Sequence, residues 1–206
     1  MYTTKTQSTA AIKDFFDKKA ECWDKITFHD PEKLEEIMTR SELRRGQTVL
    51  DIGTGTGVMI PWLHRAVGDT GTIIAMDISE EMVRITKEKY GHIQAALFCN
   101  QDFYQYTPDQ RIDAVFAYSC FPHFTDKPSF FRKCRSILPK RTGKVIIAHS
   151  ESKEAINSIH EGLENSIISQ HLEDIQTLKA QAEQAGFTAE VTIDSDSLYF
   201  LHLIRK

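Results

Sequence analysis

The stretch "VLDIGTGTGVMI", Val49 to Ile60, runs from an apolar strand pattern through three alternating glycines into a second apolar pattern. Strand, glycine turn and helix in that order form a corner where backbone closely approaches a bound nucleotide. A Walker loop would end in Gly-Lys-Ser or Gly-Lys-Thr. Here Gly57 is followed by Val58 and Met59, so no lysine is available for a β- or γ-phosphate. The dinucleotide fingerprint G-x-G-x-x-G needs glycine at position 58 and finds Val58. Asp51 matters more. It ends the strand two residues before Gly53 and aims into the corner, where a pyrophosphate would meet a carboxylate. A phosphate-free ligand with a cationic amino or sulfonium group suits that charge. The same carboxylate could also hydrogen-bond the loop backbone.

The bulk composition sets limits. With 206 residues, 41% hydrophobic and 26% charged, the chain suffices for a single α/β domain whose core needs neither disulfides nor metals. The net charge of −4 argues against a nucleic-acid partner. The runs "KRTGK" (Lys140 to Lys144) and "RKCR" (Arg132 to Arg135) read as solvated helix-end and loop charges. Cys22, Cys99, Cys120 and Cys134 stand far apart without CxxC spacing, and no apolar run approaches membrane-spanning length. The N-terminus lacks a signal-peptide core. The expectation is a reduced, cytoplasmic protein with no membrane span, and a homodimer is compatible with this reading.

From Thr48 onward, apolar strands alternate with helical segments: "GTIIAMD", "QAALFC", "IDAVFAYS" and "GKVIIAHS" as strands, "SEEMVRITKEKY" and "DKPSFFRKCRSIL" as helices. Unbroken apolar strands separated by helices indicate a doubly wound parallel sheet covered on both faces. Residues 8–25 have helical spacing, and Asp30-Pro31 caps a further helix carrying Leu34, Ile37 and Met38. After Ser150 come one or two helices, Ile156 to about Gln170 and then Ile175 to Ala185. The strands "TAEVTID" and "LYFLHLIRK" are joined too closely for a crossover and should pair antiparallel at the edge. The expected organisation is a single domain over 1–206, with residues 1–45 as a helical lid and 151–186 as a helical acceptor-side segment.

Asp77 ends the next strand, 20 residues after Gly57, where a carboxylate can accept both hydroxyls of an unphosphorylated ribose. A strand-end aspartate also commonly caps a helix. Met82, one turn on, can cover an adenine face or pack in the core. Asp102, in "NQDF", can accept the adenine amine or serve a turn.

In this order, "VLDIGTGTG", "MDISEEM", "NQDF", "IDAVFAYSCFPHFTD" and "RSILPKRTGKVIIAHS" resemble the class I S-adenosylmethionine-dependent methyltransferases, specifically the ubiquinone/menaquinone-biosynthesis-like small-molecule group. The resemblance covers about residues 15 to 150. It implies a Rossmann-like methyltransferase sheet of order 3-2-1-4-5-7-6 with strand 7 antiparallel, and S-adenosylmethionine as cofactor. Asp51 with Gly53, Thr54, Gly55 and Gly57 would hold the methionine end, Asp77 the ribose and Asp102 the adenine. Ile78, Met82, Gln101, Phe103 and Tyr118 would complete that site. The usual glycine pair before the fifth strand is Thr142-Gly143 here.

The acceptor should approach over the fourth and fifth strand ends, "AYSCFPHF" and "AHSESKEAINSIH". An in-line methyl transfer needs alignment and water exclusion, with a base only where the nucleophile must lose a proton. Neither stretch has the Asn-Pro-Pro-Tyr type of signature expected for amide or adenine-amine methylation. His123, His149 and His160 are the candidate catalytic residues. His29, His123, His149 and His160 also form a candidate metal cluster, although their spacing fits no local metal motif, so no metal is expected. Ser150, Ser152 and Tyr118 would be polar pocket groups. Cys120 suggests a thiol-based alternative. Phe116, Phe121, Phe124 and Trp23 read as acceptor walls or as core. The resulting expectation is S-adenosylmethionine-dependent methyl transfer to a small-molecule acceptor. Its rivals are a non-catalytic binder of the same cofactor and an NAD-dependent oxidoreductase.

Overall fold

A computed structural model describes residues 9–161 and 170–206, with the side chains of 159–161 outside that description. Seven strands form one sheet in the order β3-β2-β1-β4-β5-β7-β6. These are β1 (Thr48–Ile52), β2 (Thr72–Asp77), β3 (Ala96–Asn100), β4 (Ala114–Tyr118), β5 (Lys144–His149), β6 (Phe187–Ser195) and β7 (Leu198–Arg205). The first five pair in parallel, and β7 pairs antiparallel with both β5 and β6. The order and the antiparallel seventh strand are those expected from the sequence.

Successive residues of a strand point to opposite faces, so an apolar strand covered on both sides feeds two cores. Leu50 and Ile52 join Val115, Val145 and Ile147 on one face. There α6 (Lys127–Ile137) and α8 (Ile175–Gln184) contribute Phe130, Phe131 and Leu178. Val49, Ile73, Phe116 and Ile146 face the other way, onto α3 (Pro31–Ser41) and α4 (Ile60–Val67). Phe116 and Phe121 are fully buried and belong to these cores rather than to an acceptor wall.

Local signals set the helix starts. Asp30 accepts from the Glu32 N–H with Pro31 in the first turn, Ser79 accepts from Met82 to open α5 (Glu80–Tyr90), and Asp126 accepts from Ser129 to open α6. The N-terminal segment, read from sequence as one helix, is broken into α1 (Thr9–Lys19), a 3₁₀ turn (Ala20–Cys22) and α2 (Trp23–Ile26). Ser8 lies outside the described residues. The helix α4 starts two residues later than the apolar pattern suggests, because residues 53–59 are used in turns. Beyond Ser150, α7 covers Lys153–Glu161, and the expected continuation through 162–169 lies outside the described residues. Lys144, read as a solvated charge, is buried instead. Its Nζ donates to the carbonyls of Ser41 and Glu42 at the end of α3, where a cation offsets the helix dipole.

Candidate active site

The strand order reverses between β1 and β4, and in such sheets a crevice opens at the carboxyl ends of the strands there. A cavity of about 300 Å³ occupies that place, lined by the glycine loop, the ends of β1, β2, β4 and β5, and residues of α1 and α2. Among the described residues its lining includes Asp51, Asp77 and Asp102, and no lysine or arginine.

Asp51 is 1% exposed and accepts a 2.6 Å hydrogen bond from Thr54 Oγ1. Burial pushes its carboxyl up to about 7, partly offset by Thr54. Asp77 accepts from Gly55 N and Ser79 N, each at 2.9 Å, and burial pushes it up to about 6. One carboxylate therefore ties the glycine loop to the start of α5. Asp102 lines the same cavity while accepting from Tyr104 N, so its turn role and its place in the site coexist. Ile78, Met82, Gln101, Phe103 and Tyr118 all line it, together with Gly53, Thr54 and Gly55.

Gly57 is the exception among the candidate cofactor residues. It is absent from the lining and has φ +89°, and a Cβ there would lie 2.8 Å from the Tyr90 ring and 2.9 Å from Thr86 Cγ2. Its glycine lets the loop pack on α5. Gly57→Ala is expected to lower stability by about 2–4 kcal/mol, from left-handed backbone strain plus overpacking. Thermal unfolding of the variant checks this, and an unchanged melting temperature would count against the packing argument. Gly53 has a related constraint, since a Cβ there would meet Cys120 Cβ at 2.7 Å.

The segment α1–α2 lies over this corner and is held there by polar contacts that sequence reading did not find. Asp24 accepts from Thr56 Oγ1 at 2.6 Å and from Lys89 at 2.9 Å. Asp17 accepts from Ser79 Oγ at 2.6 Å, and Glu21 pairs with Arg84. No local motif marks these acids, because their partners are 32 to 65 residues away. By contrast, α3 buries Leu34 and Ile37 in the core behind the sheet.

A second cavity of about 520 Å³ adjoins the first, sharing Phe16, Trp23, Thr27, His29, Ser119, His123 and Ile156 with it. Its further walls include Phe15, Ile26 and Phe28, with Lys19, Ser150 and Glu151 at polar positions. His123 lines both cavities, its ring edge-on to Phe16 at 5.0 Å, and His149 lines the first at the end of β5. The backbone of His160 lies in α7, and its side chain is outside the described residues. His29 Nδ1 is 2.9 Å from Tyr118 Oη, which is 2.8 Å from Ser150 Oγ. Ser152 instead accepts from Ala155 N and opens α7. Among the described residues, no group of three metal-ligating side chains converges.

Cys120 is buried, its thiol donating to the Ile52 carbonyl, and burial holds its pKa well above the ordinary range. A thiol so placed is a poor nucleophile, which removes the thiol-based alternative. Lys127 was also missed by sequence reading. It is 2% exposed and donates to the carbonyls of Phe121 and Phe124, with its ammonium 4.3 Å from the Phe121 ring centroid. These contacts brace the turn that carries His123 and Phe124 to the cavity wall.

This arrangement of sheet, glycine corner and strand-end carboxylates is that of the class I S-adenosylmethionine-dependent methyltransferase fold. The family described as a methyltransferase domain matches residues 49–141. The ubiquinone/menaquinone biosynthesis C-methyltransferase UbiE of Escherichia coli (strain K12 / DH10B) is 32% identical over 113 residues. That match takes in 52% of this chain and 44% of the relative, and the UbiE of Enterobacter sp. (strain 638) matches to the same extent. The chain thus matches less than half the length of these curated relatives. Solved structures agree on the fold. A SAM dependent methyltransferase from Aquifex aeolicus has a TM-score of 0.67 at 21% identity, covering 95% of this chain and 97% of that one. A DhpI–SAH complex has a TM-score of 0.76 at 19% identity, covering 98% of each chain. Magnesium protoporphyrin IX methyltransferase from Synechocystis PCC 6803 with bound SAH has a TM-score of 0.71 at 17% identity, covering 97% of this chain and 100% of the other.

Proposed function

We propose that this chain transfers a methyl group from S-adenosylmethionine to a small-molecule acceptor. The observation that carries this reading is a deep corner with two buried carboxylates and, among the described residues, no lysine or arginine in its lining. Such a site repels a pyrophosphate and favours a cationic donor. The residues fit the donor. Asp51 and the Gly53–Gly55 backbone would hold its amino-acid end, Asp77 its ribose, and Asp102, Ile78, Met82, Gln101 and Phe103 its adenine. When bound, the donor supplies an electrophilic methyl group. The protein's own part is to orient the two reactants, and α1–α2 exclude water by covering the corner.

The second cavity would take the acceptor. Its size and aromatic walls support a small molecule rather than a polymer. His123 lines both cavities, His149 lines the first, and His160 stands as a further candidate from the same helix as Ile156. The net charge of −4 supports the absence of a nucleic-acid partner. Among the described residues, no helix is long and apolar enough to cross a membrane, and the four cysteines are unpaired. Unpaired thiols support a reduced, cytoplasmic setting.

Calorimetry with S-adenosylhomocysteine and with NADH tests the donor assignment. Binding of the former and not the latter is expected, and binding of NADH alone would overturn the reading. Formation of S-adenosylhomocysteine over a panel of hydroxyl, thiol and amine acceptors then separates an enzyme from a non-catalytic binder.

A further inference from the structure

We propose that His29 takes the proton of the acceptor, held for that task by a hydrogen-bonded chain through Tyr118 to Ser150. The inference rests on the methyltransferase reading above and adds both the base and a requirement on the acceptor, namely a nucleophile bearing an ionisable hydrogen.

Position supports it first. Only two titratable side chains among the described residues, His29 and His123, line both the donor cavity and its neighbour. A base must stand at that junction, because that is where the acceptor's nucleophilic atom would face the donor. His29 comes from the loop between α2 and α3, Tyr118 from the end of β4, and Ser150 from just past β5. Three segments far apart in sequence thus contribute to one chain of 2.9 and 2.8 Å bonds.

The proposed role requires one of the two tautomers that these bonds allow. With Nδ1–H donating to Tyr118 Oη and the tyrosine hydroxyl donating to Ser150 Oγ, Nε2 carries a lone pair. Tyr118 is itself unsuited as the base, since burial pushes its pKa up to about 12. It acts as a positioning residue. His29 is held below the ordinary histidine range mainly by burial, so it is neutral near pH 7. Of the charges nearby, Asp24 opposes that shift and Lys89 reinforces it. In the transfer step, the acceptor's electron pair forms the new bond to the methyl carbon, and the carbon–sulfur bond breaks with its pair going to sulfur. The acceptor's proton passes to His29 Nε2 and then to solvent through the open second cavity.

The test uses 4-nitrophenol, whose phenolate is read by its absorbance, on the full chain saturated with S-adenosylhomocysteine. Transfer of the phenol proton to neutral His29 forms a phenolate–imidazolium pair, so the bound compound should be ionised about tenfold more than the free compound at the same pH. His29→Gln and Tyr118→Phe should reduce or abolish that gain, while His123→Ala should keep it. Nitrogen NMR of the wild-type histidines should show His29 as the Nδ1–H tautomer, a readout that needs no variant to fold. A gain that survives His29→Gln, one that disappears only with His123→Ala, or an Nε2–H tautomer would overturn the assignment. Normal S-adenosylhomocysteine affinity with no phenolate gain sinks this inference alone. Failure to bind S-adenosylhomocysteine sinks the proposed function and this inference with it.

Discussion

Replacing Asp77 by alanine should weaken S-adenosylhomocysteine binding by about 1–3 kcal/mol, roughly 5- to 150-fold, as measured by calorimetry at pH 8. The carboxylate does two jobs at once. It accepts from Gly55 N and Ser79 N, joining the glycine loop to α5, and it lines the donor cavity. Alanine leaves both N–H groups without that acceptor and removes a partner for the ribose hydroxyls. The melting temperature should therefore fall along with the affinity. A fall in melting temperature with unchanged affinity would leave Asp77 as scaffold only and reject its ribose role. The Asn variant should lie between, because its amide oxygen can replace one acceptor but not both.

Asp51→Asn should have the largest effect on pH dependence, with opposite signs for stability and binding. The folded-state pKa of Asp51 is raised to about 7, so the folded protein binds a proton that the unfolded chain has already lost. Stability from this group is thus fully present below the ordinary carboxylate pKa and declines as pH rises to about 7. Above that, the folded protein carries a buried, ionised carboxylate. Asparagine removes that cost, and at pH 8 the ligand-free variant should be more stable by about 2–4 kcal/mol. Asp77, raised to about 6, leaves part of the slope in place. Binding moves the other way. The preference of the wild type for cationic S-adenosylmethionine over neutral S-adenosylhomocysteine should grow as pH rises through about 7, and the Asn variant should lose it. A wild-type preference that is flat between pH 6 and 8 would refute a charge-reading role for Asp51.

These two carboxylates were legible in the sequence because the information is local. Each stands at a strand end, within a few residues of the turn it serves, and a strand followed by a glycine turn determines where such a residue points. The same holds for the cap at Asp30, whose acceptor lies two residues from its donor. The acceptor side was far less legible. Histidines were found by composition, yet the bonds that distinguish them are long-range. His29 and Tyr118 are 89 positions apart, and Tyr118 and Ser150 are 32 apart. Ser152, read as a pocket group, turned to its own helix start. Lys127 and Lys144 read as ordinary charged residues, and only packing shows that each is buried against carbonyl groups.

By itself, then, the sequence determined the doubly wound sheet, its antiparallel edge and the acidic character of the glycine corner. Periodicity, turn chemistry and one strand-end carboxylate are properties of neighbouring residues. The tertiary structure alone decided which of several glycines touches the cavity, that Asp17 and Asp24 fasten α1 and α2 over it, and that His29 joins Tyr118 and Ser150 at its mouth. Those contacts join segments with no short-range signal between them, because their geometry exists only after the sheet has brought the strand ends together.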